Sequence, residues 1–118
     1  MNAAVRRPMA SKIHRIITGD YVSPGGPDHD AGERVVTVAY LVNHPDARIL
    51  FDTGFPLDAP FSVTEGGHEL VTYPRSILIT LDTMGVALDA IDAVVNCHLH
   101  IDHAGGNFRM PPELLKLR

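Results

Sequence analysis

A mixed α/β domain is what this sequence predicts, and three observations predict it. Short runs rich in β-branched residues recur at residues 12–18, 35–42, 48–52 and 93–97, the composition of strands. One stretch instead repeats Ile77, Leu78, Leu81 and Met84 at three and four residues, the spacing of a helix face. The order that results, three strands, a helix and a strand within 118 residues, suits one domain whose helix and sheet share a core.

Each element has a local reason. The first run, KIHRIIT, stops at Gly19-Asp20. Residues 21–32 concentrate Pro, Gly and Asp, which favour turns over a ladder, so a loop is expected there. Residues 35–42, VVTVAYLV, are apolar on both alternating faces, as in a strand covered on two sides and central in its sheet. Turn chemistry at residues 43–47 joins them to RILFD, which predicts an antiparallel hairpin with a five-residue connection. Residues 55–73 show no sustained period and hold Pro56, Pro60, Gly66 and Gly67, so they are expected to be loop with at most one helical turn. A helix of about ten residues should follow, with Pro74 near its first position and Gly85 just past its last. Residues 88–91 read as a short turn before the final strand.

Composition excludes several classes. With 45% hydrophobic and 20% charged residues, the chain is globular in composition rather than disordered. No charge-free stretch exceeds the eleven residues 35–45, whereas a membrane-spanning helix needs ~20, so no membrane association is expected. A net charge of −4 offers nucleic acid no broad footprint, and no nucleic-acid partner is expected. Arg6, Arg7, Lys12 and Arg15 precede the first acid, yet no apolar secretory core follows them. A cytoplasmic location and a mobile start over residues 1–11 are therefore expected. The single cysteine, Cys97, excludes an intrachain disulfide and a Cys-rich zinc knuckle; it reads as a small buried hydrophobe before it reads as a soft ligand.

The chemistry concentrates in the string Cys97-His-Leu-His-Ile-Asp-His-Ala-Gly-Gly-Asn107. If the chain stays extended past the last strand, His98 and His100 project to one side and can converge on one ion, with Leu99 and Ile101 turned away. Asp102 and His103 are adjacent and break this alternation. A bend, supported by Gly105-Gly106, is expected to aim their carboxylate and imidazole at a second point. Imidazole nitrogen and carboxylate oxygen suit zinc or another divalent first-row metal. Two such ions roughly 3.5–4 Å apart suit hydrolysis of a polarised carbonyl or phosphoryl group. A solvated His-rich turn would account for any one of these side chains; four at this spacing, at a strand end and ahead of two glycines, point to metal.

His98-Leu-His100-Ile-Asp102-His103, followed by Ala-Gly-Gly-Asn, resembles the His-x-His-x-Asp-His signature of the metallo-β-lactamase superfamily. Ile49-Leu-Phe-Asp52-Thr-Gly54 resembles that family's earlier strand ending in Asp-Thr-Gly, and Val94-Val-Asn-Cys-His-Leu-His is most similar to the quorum-quenching N-acyl-homoserine lactonases. The resemblance implies an αββα sandwich, of which residues 1–118 would form the N-terminal part of a single domain, about the first half. It implies two metals, zinc first, with Fe, Mn or Co also suited to such ligands. His98 and His100 would hold the first metal, Asp102 and His103 the second, with Asp102 counted as catalytic and Asp52 as support beneath the site. A hydroxide between the metals would open a small-molecule lactone or ester. Residues 108–118 do not resemble the family's continuation, and its second-half ligands have no counterpart, so a truncated chain, weak or inactive alone, is expected. The remaining imidazoles, His14, His29, His44 and His68, are expected to be solvated surface groups.

Two other readings compete. A non-catalytic half-domain would bind metal weakly, or would associate with itself or another chain through an uncovered apolar sheet face. Asp52-Thr53-Gly54 after an apolar run also resembles retroviral-type aspartic proteases, in which two chains each give one Asp. That reading leaves the histidines without a role.

Overall fold

The computed structural model describes residues 11–97, 99 and 101–117; residues 1–10 of the expected mobile start lie outside them. The strands are β1 (Lys12–Val22), β2 (Arg34–Asn43), β3 (Arg48–Phe51), β4 (Phe61–Glu65), β5 (His68–Pro74), β6 (Ala93–Asn96) and β7 (Leu115–Leu117). Among the described residues they form one mixed sheet in the order β4-β5-β1-β2-β3-β6-β7. The run that is apolar on both faces, β2, takes the middle, antiparallel to β1 and to β3. Its turn into β3 closes on paired bonds between His44 and Ala47, 2.9 and 3.2 Å. β3 pairs with β6 in parallel, which needs a crossover instead of a tight turn. β4, β5 and α1 (Ile77–Thr83) make up that crossover.

Residues 55–60 are the expected loop, but residues 61–73 are not. β4 and β5 pair from Phe61↔Thr72 to Glu65↔His68 around Gly66-Gly67, whose φ values are +58° and +79°. A two-residue hairpin turn of this kind needs two left-handed residues, so the glycines that read as strand breakers are the turn itself. β1 likewise runs past Thr18 to Val22, because Tyr21 pairs with Val35 on one side and Thr72 on the other. A register shift between Ile17 and Gly19 marks the bulge that makes this extension possible.

The helix is shorter than its pattern predicts. Pro74 ends β5 and is not a helix starter; Ser76 is the cap, accepting from the Ile79 N–H at 3.4 Å, and Met84 closes the far end ahead of Gly85. Residues Leu88–Ala90 form the expected short turn as a single 3-10 helix. No helix among the described residues is long and apolar enough to cross a membrane.

The core lies on one face of the sheet. Ile77 and Leu81 of α1 pack with Ile16, Ala39, Leu41, Leu50 and Val94, and Val86, Ile91 and Met110 seal the same cluster. Each of the larger side chains here, Ile, Leu, Val or Met, is worth about 1.5–3 kcal/mol of transfer free energy when fully buried. The opposite face differs from expectation. Val36 is 56% exposed and Tyr40 40%, so β2, apolar on both faces, is covered on one in this chain.

Candidate metal centre

Because β3 and β6 run parallel and in register from Ile49↔Ala93 to Phe51↔Val95, their C-terminal ends open side by side. Asp52 leaves β3 there with φ +70°, a left-handed backbone that costs most residues roughly 1–2 kcal/mol and that Asp tolerates better than most. Its own N–H donates to the Val95 carbonyl at 2.8 Å. Its carboxylate, 6% exposed, accepts the Cys97 N–H on Oδ1 at 2.9 Å and meets His103 Nδ1 with Oδ2 at 2.9 Å. Asp52 therefore closes the strand end and reaches the candidate site at once.

Asp102 and His103 are not presented by a simple bend. They lie in one helical turn, α2 (Ile101–Ala104), followed by a 3-10 stretch over Gly105–Arg109. Successive helical residues are rotated about 100°, so adjacent side chains can meet without the alternation of a strand. The two glycines act through close approach. A Cβ on Gly106 would lie 2.2 Å from the Thr53 carbonyl oxygen, and one on Gly105 would lie 2.4 Å from Pro56 Cδ. Gly54 and Ala104 bridge in parallel beside them, which docks α2 against the end of β3.

At the mouth, His103 Nε2 and Asp102 Oδ2 stand 3.4 Å apart, with both side chains about one-quarter exposed. With the Nδ1–H donated to Asp52, the outer ring nitrogen faces a carboxylate oxygen, and two acceptors placed this way call for a proton or a cation between them. Ligand atoms bound at about 2.0–2.1 Å in a tetrahedron stand about 3.3–3.4 Å apart, so this pair fits a shared zinc-like ion. The carboxylate on the inner ring nitrogen is the support that metal-binding imidazoles commonly have. His98 and His100, the other expected ligands, lie outside the described residues. Among the described residues no three His, Cys, Asp or Glu gather tightly enough to hold an ion by themselves.

The remaining imidazoles stay away from this mouth. His29 faces Glu33 at 3.3 Å, His44 Nδ1 accepts the Asp46 N–H at 3.0 Å, His68 is exposed at the start of β5, and His14 is half-buried in β1. Cys97 is exposed one residue past β6 and is not the expected buried hydrophobe; its main-chain N–H donates to Asp52. The aspartic-protease reading does not fit. Both oxygens of the Asp52 carboxylate are engaged within the chain, and its burial leaves a second chain's carboxylate no approach.

Sequence reasoning passed over Thr53, Asn96 and Asn107. Thr53 and Asn96 are 0% and 1% exposed, and their side chains bond to one another through Asn107. The available signal was an asparagine closing the apolar run Val94-Val95-Asn96, a position where a lone polar side chain needs a partner.

The sequence model of the metallo-β-lactamase superfamily matches residues 32–113. Among solved structures the chain is similar to an AiiA variant from B. thuringiensis with N-decanoyl-L-homoserine bound at its active site. The two are 24% identical over 85% of this chain and 46% of that one, with a TM-score of 0.67. It is similar to an N-acyl homoserine lactone hydrolase with N-hexanoyl-L-homoserine bound at its catalytic metal centre, at 26% identity, 85% and 46% coverage and a TM-score of 0.66. It is also similar to a quorum-quenching N-acyl homoserine lactone lactonase, at 26% identity, 85% and 42% coverage and a TM-score of 0.60. The chain thus spans less than half the length of these structures. By the match over residues 32–113, it belongs to the metallo-β-lactamase superfamily.

Proposed function

We propose that this chain carries the metal-binding strand ends of a hydrolase that opens a lactone, with an N-acyl homoserine lactone as the first substrate to test. The observation that carries the reading is the His103 imidazole, held by Asp52 on one nitrogen and facing the Asp102 carboxylate with the other. His98, His100, Asp102 and His103 would hold divalent metal, zinc first, with Fe, Mn or Co suited to the same donors. When bound, metal there supplies Lewis acidity toward a carbonyl oxygen and a water made nucleophilic near neutral pH.

The chain's own residues do the rest. Asp52 fixes the ring plane of His103 and keeps its Nδ1 as the donor, so that Nε2 is presented outward. Asp102 brings negative charge to the mouth, offsetting cationic charge there. Similarity to a lactone hydrolase that holds its product N-hexanoyl-L-homoserine at its catalytic metal centre supports the lactone class.

The test is run on the chain alone and with the remaining portion of a lactonase supplied, because the chain spans 46% of such a protein. Zinc binding and lactone opening are measured. Asp102→Ala and His103→Ala should each abolish opening in the assembled form, and Asp52→Ala should reduce it by roughly 10–100-fold. Activity that survives both ligand changes would overturn the reading.

A second reading, association with another chain, is favoured by the exposure of Ile13 at 69%, Val36 at 56% and Tyr40 at 40% on one sheet face. Sedimentation that depends on concentration would favour it. A monomer at all concentrations would remove it.

A further inference from the structure

Asn96 closes β6 two residues beyond Val94, on the face where Val94 belongs to the core, and it is as buried as its apolar neighbour. A buried amide costs stability unless each of its groups finds a partner. Here the partners are supplied by one another. Asn107 Nδ2 donates to Asn96 Oδ1 at 2.8 Å, Asn96 Nδ2 donates back to Asn107 Oδ1 at 3.2 Å, and the Thr53 hydroxyl donates to that same Oδ1 at 2.8 Å. Asn96 Nδ2 also reaches the His103 carbonyl at 3.4 Å, which accepts the Thr53 N–H at 2.7 Å.

Asn107 ties Asn96 and Thr53 together, and those two residues each donate to one atom, the main-chain oxygen of His103. The ring of the same residue is held elsewhere, by Asp52 at 2.9 Å. Ring and main chain thus have separate holders, and Asp52 alone cannot fix where Nε2 stands if α2 is free to shift. We propose that Asn107 is a positioning residue for His103, setting the main chain of α2 through Asn96 and Thr53 as Asp52 sets the ring. The proposal rests on the reading of His103 as a metal ligand and adds three residues to which that reading gives no part.

Two nearly isosteric changes separate positioning from packing. Asn107→Asp exchanges a donor for an acceptor against Asn96 Oδ1. Turning the Asn96 amide only moves that clash to the other carboxylate oxygen and takes Nδ2 away from the His103 carbonyl. Thr53→Val removes the hydroxyl and keeps the shape, whereas Thr53→Ser keeps the hydroxyl. The isotope-labelled chain is titrated with zinc ions while the ring nitrogen resonances of His103 are followed. Amide exchange at Thr53 reports the bond to the His103 carbonyl, and a denaturant midpoint reports overall stability.

Asn107→Asp and Thr53→Val should each weaken zinc binding about 10-fold, displace the His103 ring resonances and speed exchange at Thr53, while Thr53→Ser retains all three. Unchanged affinity and ring resonances in folded Thr53→Val or Asn107→Asp would overturn the positioning role. His103→Ala separates the two claims. If it leaves zinc affinity unchanged, the metal-ligand reading fails and the proposal falls with it; if it abolishes binding while the other variants do not weaken it, the positioning role alone is wrong.

Discussion

The two faces of the central sheet are built from the same four strands and nearly the same residue types, yet they hold opposite positions in the molecule. On the inner face Ile16, Ala39, Leu41, Leu50 and Val94 are at most 2% exposed beneath α1. On the outer face Ile13, Ile17, Val36 and Tyr40 are 69%, 37%, 56% and 40% exposed. Burial is therefore set by what lies across a face and not by how apolar the face is. The inner side also changes character along its length. Past Leu50 and Val94 come Asp52 and Asn96, buried as deeply but polar, so the core ends in the hydrogen-bonded supports of His103.

This contrast can be broken by experiment. Leu50→Ala or Leu41→Ala should cost about 2–5 kcal/mol in urea denaturation, the range for a large buried side chain truncated in a closed core. An equally large loss from Val36→Ala would show that the outer face is covered in solution. Gly106→Ala tests the polar end, where the added methyl must push Thr53 and α2 apart. About 1–3 kcal/mol should be lost, together with weakened zinc binding in titration calorimetry. Asp52→Asn keeps the acceptor for the Cys97 N–H and tolerates the left-handed backbone, but it loses the charge that holds the His103 ring. Zinc affinity should fall by roughly 10–100-fold while the denaturant midpoint moves little. The smallest effect belongs to the outer face. Val36→Thr and Tyr40→Thr should change stability by no more than ~0.5 kcal/mol and should reduce the binding of a hydrophobic dye.

The sequence made the inner face legible and the outer face misleading for one reason. Period and composition report what a strand is suited to, and VVTVAYLV is suited to burial on two sides whether or not both covers are at hand. The same limit explains β4 and β5. Pro56, Pro60, Gly66 and Gly67 read as breakers one at a time, whereas Gly-Gly between Phe61-Ser-Val-Thr and Leu70-Val-Thr-Tyr is a hairpin turn once the flanks are weighed together. At the candidate site, residue type and spacing singled out Asp102 and His103, the family resemblance added Asp52, and the fold brings the three together. Thr53, Asn96 and Asn107 escaped notice because their bonds join residues far apart in sequence, across two strand ends and a helical turn.

The parallel pairing of β3 with β6 has a consequence for the order in which the chain can assemble. β1, β2 and β3 are successive antiparallel neighbours, joined by an eleven-residue loop (23–33) and a four-residue turn (44–47). β6 must instead find β3 across a long detour, as the Arg48 N–H donates to Asp92 Oδ2 44 residues away. Pairing over such a separation has to overcome more chain entropy before it gains contacts, and it delays folding. Asp52 and Asn96 meet their partners only after that pairing, so the candidate metal centre is a late product of folding. Kinetic measurements on Leu41→Ala and Val94→Ala should show the first slowing folding more than the second, for equal losses of stability.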